Sequence, residues 1–304
     1  MSLFAFILIV TSATFHASWN MLAKKHRMTL PFLAVLCVVS ALLAANIFIW
    51  TPVPVLRLPW KFWGALLFTL IGDTIYWIGL MMAYRLMDMS SAYPMMRALP
   101  ILLTAGVTWV FGLGQTLTPL AVCGIVLIFL GCMSIPLKSY KEWNWRTYFG
   151  KSMFFILVTA AGTTWYTVMD NQSQKILIEI LKGSEISTPI ISVTYYAIRE
   201  LFLAIGVCIP CLLVSSQRIQ LKTIWKDYRW APVFAGIFAS LTYGLVIVAM
   251  NYVDNVSYVQ VFRQLGLLIG MGGAIFILKE KATLPKIIGG LLIVSGLILS
   301  VLKI

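Results

Sequence analysis

The chain has 304 residues, of which 61% are hydrophobic and only 11% are charged. Because a soluble domain carries roughly 25% charged residues, this composition excludes a water-soluble protein and predicts one whose solvent is lipid. The formal net charge of +13 does not indicate a nucleic-acid-binding protein, since the Lys and Arg residues lie in short clusters between apolar runs.

Ten apolar runs are each about 20 residues long, which is enough to cross a bilayer as a helix. The segments between them are short, the longest being 173–188 and 216–230, and they hold no nucleotide-binding loop. The first run lacks a basic leader and a cleavage site, so we interpret it as a retained span. The sequence predicts an all-α polytopic membrane protein with ten transmembrane helices, at about residues 3–23, 30–50, 62–84, 91–112, 118–137, 150–172, 189–215, 231–251, 256–278 and 284–302.

The second half of the chain repeats the first half. A shift of 166 residues superposes the third to fifth runs on the eighth to tenth and aligns Arg97 with Arg263. Each half holds five spans, an odd number, so the second half enters the membrane from the opposite side. We therefore predict two inverted five-helix repeats, at residues 1–143 and 144–304.

The loop charges predict an orientation. Most Lys and Arg residues outside the spans follow odd-numbered spans, in clusters such as Lys24, Lys25 and Arg27. Positively charged loops stay in the cytoplasm, so we expect that side to be cytoplasmic. Both termini would then be extracytoplasmic, in an inner membrane of the bacterial type.

Arginines inside the spans are the first functional candidates, because ionisable residues in a membrane are costly to keep. Arg97 lies nine residues after Asp88, about 13 Å along the helix and near the midplane, and Arg263 lies at the same depth of the other half. The two guanidinium groups could face a central cavity and bind a carboxylate or phosphate in a bidentate way. Alternatively, each arginine pairs with an acidic residue or with backbone carbonyls. Pro94 and Pro100 flank Arg97, as in a substrate site or hinge.

An acidic residue also lies inside the third span. Asp73 is followed by Tyr76 and Trp77, which we count with it as candidate substrate-binding residues. A buried carboxylate of this kind can load and release a proton. It could equally be the counter-ion of Arg97.

Arg199 and Glu200 are adjacent in the seventh span. Neighbours on a helix point about 100° apart, so we do not expect both to face one spot. We interpret this pair as structural.

Two further groups of side chains could line a cavity. His16 and Asn20 are four residues apart on one face of the first span, with Trp19 beside them. Trp165 and Tyr166 hold the matching place in the sixth span. Their alternatives are an interhelical hydrogen bond for the polar pair and ordinary packing for the aromatics. No metal-ligand cluster stands out, and we expect no cofactor.

Two stretches resemble EamA-type transporters of the drug/metabolite transporter superfamily. One reads His16-Ala17-Ser18-Trp19-Asn20 and is followed by Lys24, and the other holds Tyr84-Arg85, Asp88, Ser90, Tyr93-Pro94, Arg97 and Pro100. Glu280 keeps an acidic residue that closes a span in many members, whereas Gly114 and Gln115 stand at the matching place of the first half.

The resemblance implies alternating-access transport through a cavity lined mainly by spans 1, 3, 4, 6, 8 and 9. It also implies cytoplasmic termini, which is the opposite of what the loop charges predict. Carried over by position, the cavity residues are His16, Trp19, Asn20, Asp73, Tyr93, Arg97, Trp165, Tyr243 and Arg263.

The expected function is therefore secondary active transport of a small organic metabolite, anionic or zwitterionic, coupled to protons. The alternatives are a lipid or lipid-precursor flippase, an exporter of amphipathic or drug-like compounds, and a scaffold that transports nothing. An intramembrane enzyme is not expected, because His16 and the scattered acidic residues form no catalytic pair. The expected partners are a small-molecule substrate and the lipid bilayer, with the chain as a monomer or homodimer and no nucleic acid.

Overall fold

The computed structural model describes residues 3–51, 53, 55–110, 118–142, 148–184, 186–250 and 265–301, and all regular structure in these residues is helical. The α-helices are α1 (Leu3–Lys25), α2 (Leu30–Ala44), α3 (Ile47–Trp50), α4 (Trp60–Leu86), α5 (Met89–Val110), α6 (Pro119–Ser134), α7 (Lys151–Ile180), α8 (Thr188–Leu213), α9 (Ser215–Asp227), α10 (Trp230–Met250), α11 (Leu265–Phe276) and α12 (Leu284–Val301). Single 3-10 turns lie at Val55–Arg57 and Tyr140–Glu142.

The helices have the length and composition of membrane spans. Five apolar helical segments are long enough to cross a bilayer: α1, α2 with α3, α4, α7 and α8. Four shorter apolar stretches lie in α6, α10, α11 and α12. The chain is therefore a multi-pass helical membrane protein, as predicted. The first part of the predicted ninth span lies outside the described residues.

Two predicted loops turn out to be partly helical. The segment after the sixth span is still helix as far as Ile180, and the supposed loop 216–230 contains α9. This helix carries Lys and Arg at four-residue spacing together with exposed Ile219 and Trp225. Such a helix lies on a membrane rather than across it, so a search for long apolar runs passes over it.

The helices pair in a regular way. Helix α1 packs on α10, and α7 packs on α4. Helix α1 also packs on α11, and α7 also packs on α5. Other close pairs include α2 with α8, α2 with α10, and α6 with α12.

The contact between α4 and α7 depends on glycines. A methyl group at Gly79 would lie 2.6 Å from the Thr159 backbone nitrogen, and one at Gly162 would lie 2.5 Å from the backbone nitrogen of Tyr76. Both distances are shorter than van der Waals contact, so the two backbones touch without intervening side chains. Small residues allow this close approach between membrane helices.

Candidate functional site

A small polar cavity lies where α1, α4, α5 and α7 meet. Its volume is about 50 Å³, which is room for a few water molecules. Most of its lining side chains carry polar groups, and they come from all four helices. The described lining residues are His16, Asn20, Tyr76, Leu80, Tyr93, Met96, Arg97, Thr163 and Tyr166.

Arg97 is the only basic residue other than His16 among those lining residues. Its Nε atom is buried and has no hydrogen-bond partner. Within the described part of the chain, no hydrogen bond or ion pair connects Arg97 to another residue. A donor removed from water without an acceptor is costly, so the Nε group of Arg97 is a cationic donor available to a ligand in this cavity.

The helix that carries Arg97 is interrupted on both sides of it. Pro94 and Pro100 lie inside α5, and each removes a backbone donor from the helix. The hydroxyl of Thr164 on α7 donates to the Pro100 carbonyl at 3.4 Å. The prolines therefore locate Arg97 in a segment of α5 with fewer internal hydrogen bonds than an uninterrupted helix.

Hydrogen bonds hold α1, α4 and α5 together at the cavity. His16 Nδ1 lies 2.9 Å from the Tyr93 hydroxyl, and the Asn20 amide donates to the His16 carbonyl at 2.8 Å. The Tyr84 hydroxyl donates to Asn20 Oδ1 at 2.6 Å. The interhelical hydrogen bonds considered for His16 and Asn20 therefore exist, and the same side chains also line the cavity.

None of the predicted tryptophans is among the described lining residues of the cavity. Trp19 packs against the His16 ring at 5.4 Å and against Trp77 at 5.7 Å. Trp165 is 44% exposed, and its indole donates to the Phe68 carbonyl at 2.9 Å. Trp165 is not among the described lining residues of the cavity, whereas its neighbour Tyr166 is.

Of the two remaining predicted residues, Tyr243 can be located and Arg263 cannot. Tyr243 on α10 stacks on Tyr196 of α8 with ring centroids 4.4 Å apart, and it is not among the described lining residues of the cavity. Arg263 lies outside the described residues, and its position relative to Arg97 stays a prediction.

Asp73 forms an ion pair with Arg199 of α8. The expectation that it serves as the counter-ion of Arg97 is therefore wrong. The two residues lie on different helices, so their spacing in the sequence gave no signal for this pair. Asp73 is 1% exposed and lies outside the polar cavity.

Arg199 is surrounded by three carboxylates. Besides Asp73, it contacts Asp170 at 3.3 Å and Glu200 at 3.0 Å. The Tyr195 hydroxyl donates to Asp170 Oδ1 at 2.6 Å. Arg199 and Glu200 were not expected to face one spot, yet their charged groups are in contact. Asp170 was overlooked because it lies at the end of an apolar run.

Tyr166 lies between the cavity and this cluster, which we call the Arg199 cluster (Asp73, Asp170, Arg199 and Glu200). Its side chain lines the cavity. The Arg199 guanidinium also lies over the Tyr166 ring, 5.4 Å from its centroid, as in a cation–π contact. One aromatic ring therefore touches both polar regions.

A third polar cluster closes the turn between α4 and α5. Lys24 Nζ donates to the Tyr84 and Met87 carbonyls at 2.6 and 2.7 Å. The Glu280 carboxylate accepts from the backbone nitrogens of Met89 and Ser90, both at 2.8 Å. A cation at the end of α4 and an anion at the start of α5 both match the helix dipoles.

A larger cavity of about 370 Å³ lies beside α3 and α8. It is lined by the apolar residues Phe48, Val53, Val55, Ile198, Leu201 and Phe202. None of its described lining residues offers a charged side chain to a polar solute. The smaller cavity at Arg97 is therefore the candidate site.

Comparison with known families gives a direct result. Residues 183–302 match the EamA-like transporter family. This family is part of the drug/metabolite transporter superfamily, whose EamA members are transporters rather than enzymes. The motifs that resembled this family lie before residue 101, whereas the match lies in the second half. The EamA resemblance is thus confirmed on the second half of the chain, which contains Glu280 but neither of the two stretches.

A solved structure supports the overall fold. One crystal structure, titled only as that of a protein, superposes with a TM-score of 0.58 at 16% sequence identity, covering 97% of this chain and 95% of that chain. At this identity the likeness shows a shared fold. No curated protein matches the sequence.

Proposed function

We propose that this protein is a secondary active transporter of a small anionic or zwitterionic metabolite, which binds in the polar cavity through Arg97. One observation carries the proposal: Arg97 has no acidic partner in the described part of the chain. Asp73, the obvious intramembrane candidate, pairs with Arg199 instead. A carboxylate or phosphate on the solute would supply the negative counter-charge for Arg97.

The other lining groups favour a solute with several polar atoms. His16, Asn20 and Thr163 offer hydrogen-bonding groups, and the rings of Tyr76 and Tyr166 offer flat apolar surface. The cavity is small, at about 50 Å³, so we expect the helices to separate when an organic solute enters. This separation supports transport in which access alternates between the two sides.

The helix pairing supports the inverted repeat that such a mechanism uses. In an inverted repeat, α1 would correspond to α7, α4 to α10 and α5 to α11. The contact of α1 with α10 in one half would then have its equivalent in the contact of α7 with α4. In the same way, the contact of α1 with α11 would have its equivalent in the contact of α7 with α5. These pairs are among the closest in the bundle. We therefore keep ten spans and a pseudo-two-fold axis in the proposal, with Arg263 as the counterpart of Arg97.

The proposed location is an inner membrane with the α4–α5 turn on the cytoplasmic side, as the loop charges predict. Opening the protein on that side requires the bonds of Lys24 and Glu280 to break. A reporter fused to the C-terminus tests this orientation, because periplasmic alkaline phosphatase is active only outside the cytoplasm. Activity of a cytoplasmic fluorescent reporter at that end would contradict it.

The binding site can be tested before the solute is known. Purified protein is screened by thermal unfolding against carboxylates, phosphonates and amino acids. We expect a stabilising compound whose affinity falls about tenfold to a hundredfold in Arg97→Ala, since a charge-assisted hydrogen bond contributes about 1.5–3 kcal/mol. Arg97→Lys keeps a point charge and should retain part of the affinity.

Arg218→Ala is the matched control, because Arg218 is exposed on α9 and should leave the affinity unchanged. Proteoliposomes with an imposed pH gradient then test transport of the stabilising compound. If Arg97→Ala and Arg263→Ala both transport it as the wild type does, the anion site is wrong.

A further inference from the structure

The Arg199 cluster holds more negative than positive charge. Three carboxylates face one guanidinium, so full ionisation would leave a net charge of 1 − 3 = −2. No other Lys or Arg forms an ion pair with these carboxylates in the described residues. Excess charge removed from water is strongly unfavourable, and buried groups neutralise themselves instead.

The three carboxylates differ in how well they are satisfied. Asp170 accepts from the Tyr195 hydroxyl and contacts Arg199, and its side chain is 22% exposed. Glu200 accepts from Arg199 Nη1 at 3.0 Å. The Asp73 side chain is 2% exposed, and its Oδ2 atom is buried with no hydrogen-bond partner. Asp73 is therefore the carboxylate for which ionisation costs most.

We propose that Asp73 binds and releases a proton at Oδ2, and that this proton is the coupling ion of the transporter; the second part rests on the proposed function. Loading forms an O–H bond at Oδ2 with a proton from water and turns the carboxylate into a neutral carboxyl group. Asp170, the most exposed member of the cluster, gives that proton a route to solvent. Release returns the proton to water and restores the ion pair.

The proton affects how the helices are held together. The Asp73–Arg199 ion pair connects α4 to α8, and Asp170–Arg199 connects α7 to α8. Protonation of Asp73 replaces the first of these with a weaker contact to a neutral group. Helix α4 is then held to α8 less tightly while α7 remains attached.

Helices α4 and α7, which carry Asp73 and Asp170, also line the polar cavity. Tyr76 lies three residues after Asp73 on α4, and Tyr166 lies four residues before Asp170 on α7, so each tyrosine lies near the face of its acidic neighbour. Tyr76 and Tyr166 also touch, with ring centroids 5.6 Å apart. A proton at Asp73 therefore acts on two of the helices that are expected to separate when a solute enters.

Infrared difference spectroscopy tests the proton site with the proton as the only ligand. The full-length protein in nanodiscs is compared at high and low pH, and the band of a protonated carboxyl group is followed. We expect a band that Asp73→Asn removes and that Asp227→Asn, an exposed control at the end of α9, leaves in place. A carboxylate that binds a metal cation instead gives no such band.

Two results overturn the proposal: no titrating buried carboxyl band in the wild type, or the same band in Asp73→Asn. If Asp73→Asn does not fold, the variant Glu200→Gln provides a second test of the same proton site. It removes one negative charge from the cluster, so the Asp73 band should disappear at lower pH than in the wild type. An unchanged titration in Glu200→Gln would also contradict the proposal.

The link between protonation of Asp73 and helix movement is tested by a separate distance measurement. Spin labels at Ile71→Cys on α4 and Ile205→Cys on α8, both exposed residues, report the distance between the helices in protein without native cysteines. We expect the distance to change with pH in the wild type and to be independent of pH in Asp73→Asn. The same pH-dependent change in both proteins would overturn the link to helix movement. If these results hold and no compound is transported, the proton site at Asp73 stands, whereas the proposed function and the coupling role both fail.

Discussion

Two arginines inside the helical bundle differ in the number of acidic partners around them. Arg97 has none in the described part of the chain, whereas Arg199 has three. The first has too few anions and the second too many, and Tyr166 touches both regions. A buried arginine is thus informative through the charge balance around it: a deficit of anions points to a solute, and an excess points to a proton.

The largest expected effect comes from removing each arginine in turn. Arg199→Ala leaves three buried carboxylates without a cation, and breaking a buried ion pair costs about 3–5 kcal/mol. Arg97→Ala removes an unpaired cation and should destabilise the protein far less. Thermal unfolding in detergent measures both. Equal losses of stability would show that Arg97 has a structural partner as well.

A second test concerns the glycine contact between α4 and α7, the two helices that contribute residues to both regions. Gly79→Ala places a methyl group against the Thr159 backbone, so we expect a loss of about 1–3 kcal/mol from overpacking. Gly206→Ala is the control, because a methyl group there meets nothing within 4 Å. A Gly79→Ala protein as stable as Gly206→Ala would mean that α4 and α7 separate easily.

Tyr166 can be tested as the link between the regions. Tyr166→Leu removes the ring that lies over Arg199, and a partly desolvated cation–π contact contributes about 1–2 kcal/mol. Tyr166→Phe keeps the ring and should retain most of the stability. Chemical unfolding of the two variants side by side measures the difference. Similar losses in both would assign the stabilisation to the hydroxyl instead.

The smallest expected effect lies outside the bundle, at His26. Its ring stacks on Tyr228 at 4.8 Å. Burial, and then the charge of Lys25, lower the pKa of His26 below its usual value. The unfolded chain therefore binds the proton more readily, so the contribution of His26 to stability is complete above about pH 6.5 and is lost as the pH falls through its folded pKa.

His26→Phe keeps the stacking and cannot be protonated. We expect its melting temperature relative to the wild type to rise as the pH falls from about 7.5 to about 5.5. A difference that stays constant over this range would show that His26 does not titrate differently on folding. Salt should reduce the contribution of Lys25, because exposed charges are screened.

Much of the fold could be predicted because lipid leaves few options. Apolar runs of span length must be helices, and the structure has helices at the described runs. Residues close in the sequence were also predicted well: His16 and Asn20 share a face and line the cavity. The surface helix α9 was missed because its low overall hydrophobicity resembles that of a loop.

Partners that are distant in the sequence could not be predicted. Asp73 and Arg199 are 126 residues apart and lie on helices that are not adjacent in the chain. The choice between Trp165 and Tyr166 depends on a rotation of about 100° about the axis of α7, and only packing against α4 fixes it. Gly72, whose absent side chain gives room to Trp165, is part of that packing.

The position of Tyr166 has a consequence for how such a protein could diversify. Side chains such as His16, Asn20 and Thr163 contact the cavity but not the Arg199 cluster. If the proposed function and the proton site at Asp73 both hold, mutations at these residues could change which metabolite is recognised while the coupling to protons stays the same. A lineage that keeps the cluster and varies the cavity could thus acquire new solutes without evolving a new coupling mechanism.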